Sequence, residues 1–253
     1  MSWKQTEVEF EQFAEPYAWM FGQARSQSAL TLQCRKAIEG SRPSRILDCA
    51  CGPGWQAVTL KNEGYVVTGT DISRQMIRLA KANAREKGQR IPFKVAAWHE
   101  LPKTFSPSSF DFIMCHGNAI GHCKGEKTMV QSLKAMRAVI KEGGFLYLDT
   151  RSWEWLRSKA PKYWTGPIRD DEKGHHVVLT RADIPRKWSE PHTFEMVHVV
   201  EGKNGPRIEH YPITFYAFKK REFLKRLRRS GFTPIETESI AEGMGYTVVA
   251  QAV

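Results

Sequence analysis

The stretch Arg45-Ile46-Leu47-Asp48-Cys49-Ala50-Cys51-Gly52-Pro53-Gly54-Trp55 decides the architecture. Arg45 to Cys49 is a short apolar run bounded by turn residues, which reads as a buried strand. Gly52-Pro53-Gly54 is a tight turn, and Trp55 to Asn62 reads as a helix. The strand therefore ends on an acid, passes a Gly-x-Gly turn and opens a helix. Glycine at positions 52 and 54 lets backbone N–H groups approach a ligand closely.

Working outward, strands and helices alternate. Tyr65 to Thr70 is a β-branched second strand, and Ser73 caps a helix that runs to about Lys87. Phe93 to Ala97 is a third strand and Phe110 to Cys115 a fourth. Thr128 to Ile140 is a helix closed by Gly143-Gly144, and Phe145 to Asp149 is a fifth strand. Strands separated by such helices imply βαβ units and a parallel sheet. On the N-terminal side, residues 4–38 read as helical, with a break near Pro16 and a second helix from about Ser26. After Arg151 the texture changes. Val177 to Arg181, Thr193 to Val200 and Ile208 to Tyr216 are strand-like with few helices between them, as expected of an antiparallel insert. A basic helix follows, then Thr233 to Ser239 and Tyr246 to Ala252, which read as a hairpin closing the parallel sheet. There is no internal repeat.

The 253 residues carry 38 Lys+Arg against 27 Asp+Glu, a formal balance of +11. A basic chain raises the question of nucleic acid. The excess is spread evenly, +6 over residues 1–150 and +5 over residues 151–253, with no basic tail. Its densest run, Lys219 to Arg229, places Phe223, Leu224 and Leu227 on one side of a helix and the cations on the other, with Gly231 as a C-terminal cap. That is the pattern of a solvated helix face and argues against a nucleic-acid surface. Apolar residues at 41% exclude a disordered chain. No apolar run is long enough to span a bilayer, and the N-terminus lacks the pattern of a signal peptide. The five cysteines are sparse, and Cys49 and Cys51 are spaced C-A-C. They read as free thiols of a cytoplasmic protein, with no metal site.

The turn at 52–54 admits two cofactors. Asp71 stands at the tip of the second strand, about 20 residues on, where a carboxylate accepts hydrogen bonds from a ribose diol. Gly52-x-Gly54-x-x-Ala57 also satisfies a loose dinucleotide fingerprint. Asp48 discriminates: a carboxylate beside the turn repels a pyrophosphate, whereas S-adenosylmethionine carries an ammonium and a sulfonium. The closing hairpin points the same way. Taken together, D-x-x-C-G-x-G (Asp48 to Gly54), Asp71 after V-V-T-G-T, and F-D-F-I-M-C (Phe110 to Cys115) resemble a class I S-adenosylmethionine-dependent methyltransferase. The resemblance implies an α/β, Rossmann-like, mostly parallel sheet with a closing antiparallel hairpin, and an antiparallel insert that acts as a substrate lid. It divides the chain into an N-terminal helical cap (1–40), a cofactor-binding core (41–150), a lid (151–218) and a closing helix and hairpin (219–253). It implies cofactor contacts by Asp48, Ala50, Gly52, Gly54, Asp71 and Ile72, by Ala97 and Trp98 beside adenine, and by the His116 and Gly117 carbonyls on the cofactor's ammonium.

The loops after strands four and five narrow the family. His116-Gly117-Asn118-Ala119-Ile120-Gly121-His122 and Asp149-Thr150-Arg151-Ser152, with His210-Tyr211-Pro212 in the insert, resemble the glycine and sarcosine N-methyltransferases. The resemblance implies a small-molecule amine or amino-acid acceptor and includes oligomers, although no residue pattern shows an interface. Arg151 has the planar fork that grips a carboxylate. Asn118 offers an amide near the methyl group. Tyr17 and Tyr211 line the acceptor pocket, and His122 or His116 is a candidate base. Three departures, Ala119 for serine, Ser152 for asparagine and Ala97 for asparagine, put glycine itself in doubt. Another anionic metabolite, or an RNA or protein, stands as the alternative acceptor. A cofactor-binding subunit without turnover is the non-catalytic reading.

Overall fold

A computed structural model of the chain describes residues 2–27, 30, 32–171, 174–203 and 205–253. Helices α1 (Ser2–Gln27) and α2 (Leu32–Ser41) precede strand β1 (Arg45–Asp48). Then come α3 (Trp55–Asn62), β2 (Val66–Asp71), α4 (Arg74–Glu86) and β3 (Phe93–Val95). A 3-10 turn (Trp98–Glu100) and α5 (Leu101–Thr104) lead to β4 (Phe110–Cys115). A second 3-10 turn (Ala119–His122), α6 (Gly125–Val139) and β5 (Ile140–Arg151) complete the parallel part. The seven-stranded sheet runs β10-β11-β5-β4-β1-β2-β3, where β10 (Phe232–Ile240) and β11 (Gly245–Ala252) are the closing hairpin. Strands β1 to β5 are parallel, and β11 lies antiparallel on β5. Chain order reverses at β1, which sits between β4 and β2. A crevice opens at the carboxyl ends of strands at such a switch point.

Between β5 and the hairpin lie α7 (Trp153–Lys159), a second sheet and α8 (Lys220–Arg229). The second sheet is antiparallel throughout, in the order β6 (Tyr163–Asp171), β7 (Gly174–Asp183), β8 (His192–Gly202), β9 (Gly205–Phe215). In β8, Phe194, Met196 and Val200 are buried at every second or fourth position, as one covered face requires. On α8, Phe223 and Leu227 are buried, while Arg229 pairs with Glu126 and Lys225 with Glu222 at the surface. All five cysteines are buried. No helix among the described residues is long and apolar enough to cross a membrane.

Several boundaries differ from expectation. The chain does not break at Pro16: α1 continues to Gln27, so Ser26 closes the first helix rather than opening a second. Pro16 removes one N–H from the ladder. Burial of Phe13 and Met20 on either side of it holds the two halves in line. The second helix starts at Leu32; residues 28, 29 and 31 of the expected helical stretch lie outside the described residues. Strand β5 starts at Ile140 and carries Gly143 and Gly144 within it, because Ile140 already pairs with Phe110 of β4. Strand β3 stops at Val95, so Ala97 and Trp98 are not its end. Ala97 donates its N–H to the Glu100 carboxylate at 2.8 Å, which turns the chain into the 3-10 turn. β6 and α7 were not foreseen.

Candidate active site

The site is built from the strand ends around the switch point. The Gly52-Pro53-Gly54 turn is stitched to both neighbours of β1: Cys49 donates to the Met114 carbonyl and Cys51 to the Thr70 carbonyl, each at 2.9 Å. Gly52 and Gly54 adopt φ of 50° and 81°, the left-handed region that favours glycine. A Cβ on Gly54 would lie 3.0 Å from Cβ of Ala80, so that glycine admits α4. A Cβ on Gly52 would meet nothing within 4 Å, which leaves the turn open toward the crevice.

Two buried carboxylates flank this turn. Asp71 accepts from Gly52 N–H at 2.9 Å on one oxygen and from Ser73 N–H at 3.0 Å on the other. Burial pushes its pKa up to about 6, against the pull of those N–H groups. Asp48 is 1% exposed, and neither oxygen accepts a fully formed hydrogen bond among the described residues, although Ala50 N–H lies close enough to favour the ionised form. Burial, then the charges of Asp71 and Asp149, push Asp48 up to about 7. An orphaned buried carboxylate calls for a positive partner.

Trp98 is pinned to the same turn. Its indole N–H donates to the Cys49 carbonyl at 2.6 Å, and Trp3 of α1 meets it edge-on with centroids 5.4 Å apart. With Ile72 and Ala97 it forms an apolar slot in the crevice wall. Trp98 is therefore both core and wall.

Opposite, the loop after β4 is tied to the end of β5. Asp149 accepts from Asn118 N–H at 2.7 Å, and its other oxygen lies 3.1 Å from His116 Nε2. That nitrogen faces a carboxylate and so carries the proton; Nδ1 then accepts from the Gln56 amide at 3.4 Å. Asn118 sits at φ 62°, and its side-chain oxygen accepts from Thr150 Oγ1 and from Arg151 N–H, each at 2.9 Å. The amide oxygen is thus spent on β5, and the amide NH₂ is what remains. The Arg151 guanidinium lies over two rings of the antiparallel sheet, 4.3 Å from the Phe194 centroid and 5.1 Å from that of Phe215. Beside it, His122 is buried and places Nδ1 2.8 Å from the Thr214 carbonyl, so Nδ1 donates and Nε2 keeps a lone pair. Burial, aided by the charge of Arg151, holds its pKa down at about 4.

These groups share one cavity of about 310 Å³. Of the residues expected from sequence, it brings together Ala50, Gly52, Asp71, Ile72, Ala97, Trp98, His116, Gly117, Asn118, Arg151, Tyr17 and His122. Three stand off its wall. Asp48 lies beneath the turn, Gly54 packs against α4, and Tyr211 turns its hydroxyl onto Glu209 at 2.7 Å. Tyr17 stacks on Trp55 with centroids 5.9 Å apart. Sequence reasoning missed Asp149, whose signal was an acid closing the fifth strand. It also missed Phe10 and Phe13 of α1, and Trp164, Phe194 and Phe215 of the second sheet, which line the cavity. Glu9 was missed too. It accepts from both Thr214 N–H and Thr214 Oγ1, fastening α1 to β9.

Residues 46–144 match the family described as "Methyltransferase domain". A solved S-adenosylmethionine-dependent methyltransferase from Clostridium acetobutylicum superposes with a TM-score of 0.75 at 15% identity, over 96% of this chain and 98% of that one. The chain is thus similar to methyltransferases over residues 46–144 and shares the fold of a solved S-adenosylmethionine-dependent methyltransferase. Mouse glycine N-methyltransferase is 28% identical over 155 residues, covering 57% of this chain and 48% of that protein. The glycine/sarcosine N-methyltransferase of Parasynechococcus marenigrum is 33% identical over 111 residues, covering 44% and 39%. The matches span at most about half the length of these relatives. The cofactor expected from the sequence is S-adenosylmethionine, on which the solved Clostridium acetobutylicum methyltransferase also depends. The crevice fits it: two buried carboxylates repel a pyrophosphate and suit a cationic, diol-bearing ligand, and the Ile72–Trp98 slot suits a flat base.

Proposed function

We propose that this methyltransferase moves a methyl group from S-adenosylmethionine to the amine of a small, carboxylate-bearing acceptor. The observation that carries the reading is Arg151. Among the described residues lining the cavity, it is the only permanent cation, held by ring faces beside the loop that ends the cofactor crevice. A guanidinium there pairs with a carboxylate in fork geometry.

When bound, the cofactor supplies an electrophilic methyl whose leaving group is a neutral thioether, so the protein need not protonate it. What remains for the chain is alignment and exclusion of water. Asp71 would hold the ribose diol, and Asp48 would balance positive charge near the turn. Asn118 would present its NH₂ to the acceptor. Arg151 would hold the carboxylate, and its charge lowers the pKa of an ammonium bound nearby, favouring the free amine. His116 sits between Asp149 and Gln56, with one ring nitrogen facing each. His122, with a pKa of about 4, is neutral at working pH. Its Nε2 lone pair would accept an N–H of the amine and so orient the nitrogen's own lone pair, without serving as a strong base.

The test is the Arg151→Ala variant, assayed with an amino acid and with its amide. KM for the amino acid should rise at least about 50-fold, the scale of a charge-assisted pair lost in a buried setting. The amide should react poorly with both proteins, and cofactor affinity should stay within about threefold. An unchanged KM for the amino acid would sink the carboxylate grip.

A further inference from the structure

Building on the proposed amine methylation, we infer that the acceptor bears an apolar group of branched-alkyl or phenyl size beside its carboxylate, and is not glycine. The first ground is the wall around Arg151. The antiparallel sheet turns Trp164, Val178, Phe194, Met196, Ile213 and Phe215 into the cavity, one or two from each strand. Val178, Phe194 and Ile213 are each 2% exposed. Trp164 meets Phe194 edge-on at 5.5 Å, and Phe194 meets Phe215 at 5.2 Å, so the rings form a continuous aromatic surface. From the other side, Phe10 and Phe13 of α1 add two more rings.

The second ground is how little else lies there. Among the described residues of the sheet side, only the hydroxyls of Thr165 and Thr180 interrupt the apolar wall. Glycine would offer the cavity a carboxylate, an amine and one methylene. Arg151 would answer the first, and the remaining ring faces would be left against water. An apolar substituent covers those faces and excludes the water that methyl transfer must avoid.

The inferred class is therefore α-amino acids or related amino carboxylates with hydrocarbon side chains, such as leucine or phenylalanine.

The experiment compares glycine, alanine, leucine and phenylalanine as acceptors, with 3-phenylpropionate and acetate as amine-free ligands. Initial rates should give kcat/KM for the best apolar acceptor roughly 100-fold above glycine, the discrimination a hydrophobic pocket achieves. Calorimetry on the protein saturated with S-adenosylhomocysteine should show 3-phenylpropionate binding at least about tenfold tighter than acetate. Val178→Trp, which fills the apolar end, should lower kcat/KM for the large acceptor by tenfold or more with S-adenosylhomocysteine affinity unchanged. Should that variant not fold, Met196→Ala enlarges the same wall and should move preference toward the larger of the two apolar acceptors. Glycine reacting as well as leucine and phenylalanine, with 3-phenylpropionate no tighter than acetate, overturns the inference and leaves the amine methylation standing. No methylation of any of the four overturns both.

Discussion

In the proposed site, Asp48 and Asp71 would make cofactor affinity a function of pH, by an amount that follows from their raised pKa values. In the free protein their pKa values are about 7 and about 6, raised chiefly by burial. A bound ammonium or sulfonium and a ribose diol favour the ionised carboxylates, so binding must drive protons off whichever of the two are still protonated. With both ionised in the complex, lowering the pH from 7 to 5.5 should weaken S-adenosylmethionine binding roughly 60-fold. At pH 6.5 binding should release about one proton per site. The window stays below the pKa of the cofactor's own α-amino group, which titrates near 8. Titration calorimetry in two buffers of different ionisation enthalpy reads both quantities. Asp48→Asn should cut the pH effect to about fourfold, leaving the part due to Asp71. An affinity flat between pH 5.5 and 7, with no buffer-dependent heat, would refute the assignment of both carboxylates to the cofactor.

Further outcomes follow from the same groups. Because both carboxyls are raised in the folded chain, the stability they contribute is complete below about pH 4 and lost as pH rises through 6 to 7. Asp48→Asn should therefore raise the apoprotein's melting temperature at pH 8 by about 5 °C, part of the gain being offset by a buried amide without partners; a lowered value would contradict this. Asn118→Ala removes the acceptor for Thr150 and Arg151 N–H and puts a Cβ-bearing residue without a local hydrogen bond at φ 62°. It should cost about 3 kcal/mol in urea unfolding; a loss under about 0.5 would show that those bonds do not organise the loop. Methyl-transfer rates should vary less than threefold between 50 and 300 mM salt, since a small acceptor releases few counterions. A fall of a hundredfold or more would revive a nucleic-acid acceptor.

Much of the crevice around the Gly52–Gly54 turn was legible in the sequence, because its backbone rests on local patterns. The β1 strand, the Gly52–Gly54 turn and Asp71 lie within a single βαβ unit, and each residue type is dictated by its own backbone position. The acceptor side was harder. Strand β6 carries Gly166 and Pro167 and shifts register between Thr165 and Ile168, so its alternation is broken. Proline is tolerated there because β6 is an edge strand. Helix α7 had a readable cap, since the Ser152 hydroxyl accepts from Trp155 N–H, but seven residues are too few for periodicity to speak. That Phe194 and Met196 share a face is plain from alternation. That this face closes over Arg151 depends on how the second sheet packs, which no local pattern encodes. The same holds for Phe10 and Phe13, whose helix continues past a proline that reads as a stop.

The most direct measurement follows the methyl group itself. Protein incubated with S-adenosylmethionine carrying a ¹³C methyl and with leucine or phenylalanine should yield an N–¹³CH₃ signal and an equal amount of S-adenosylhomocysteine. Cofactor that binds yet gives no labelled N-methyl product on any carboxylate-bearing amine would contradict the account.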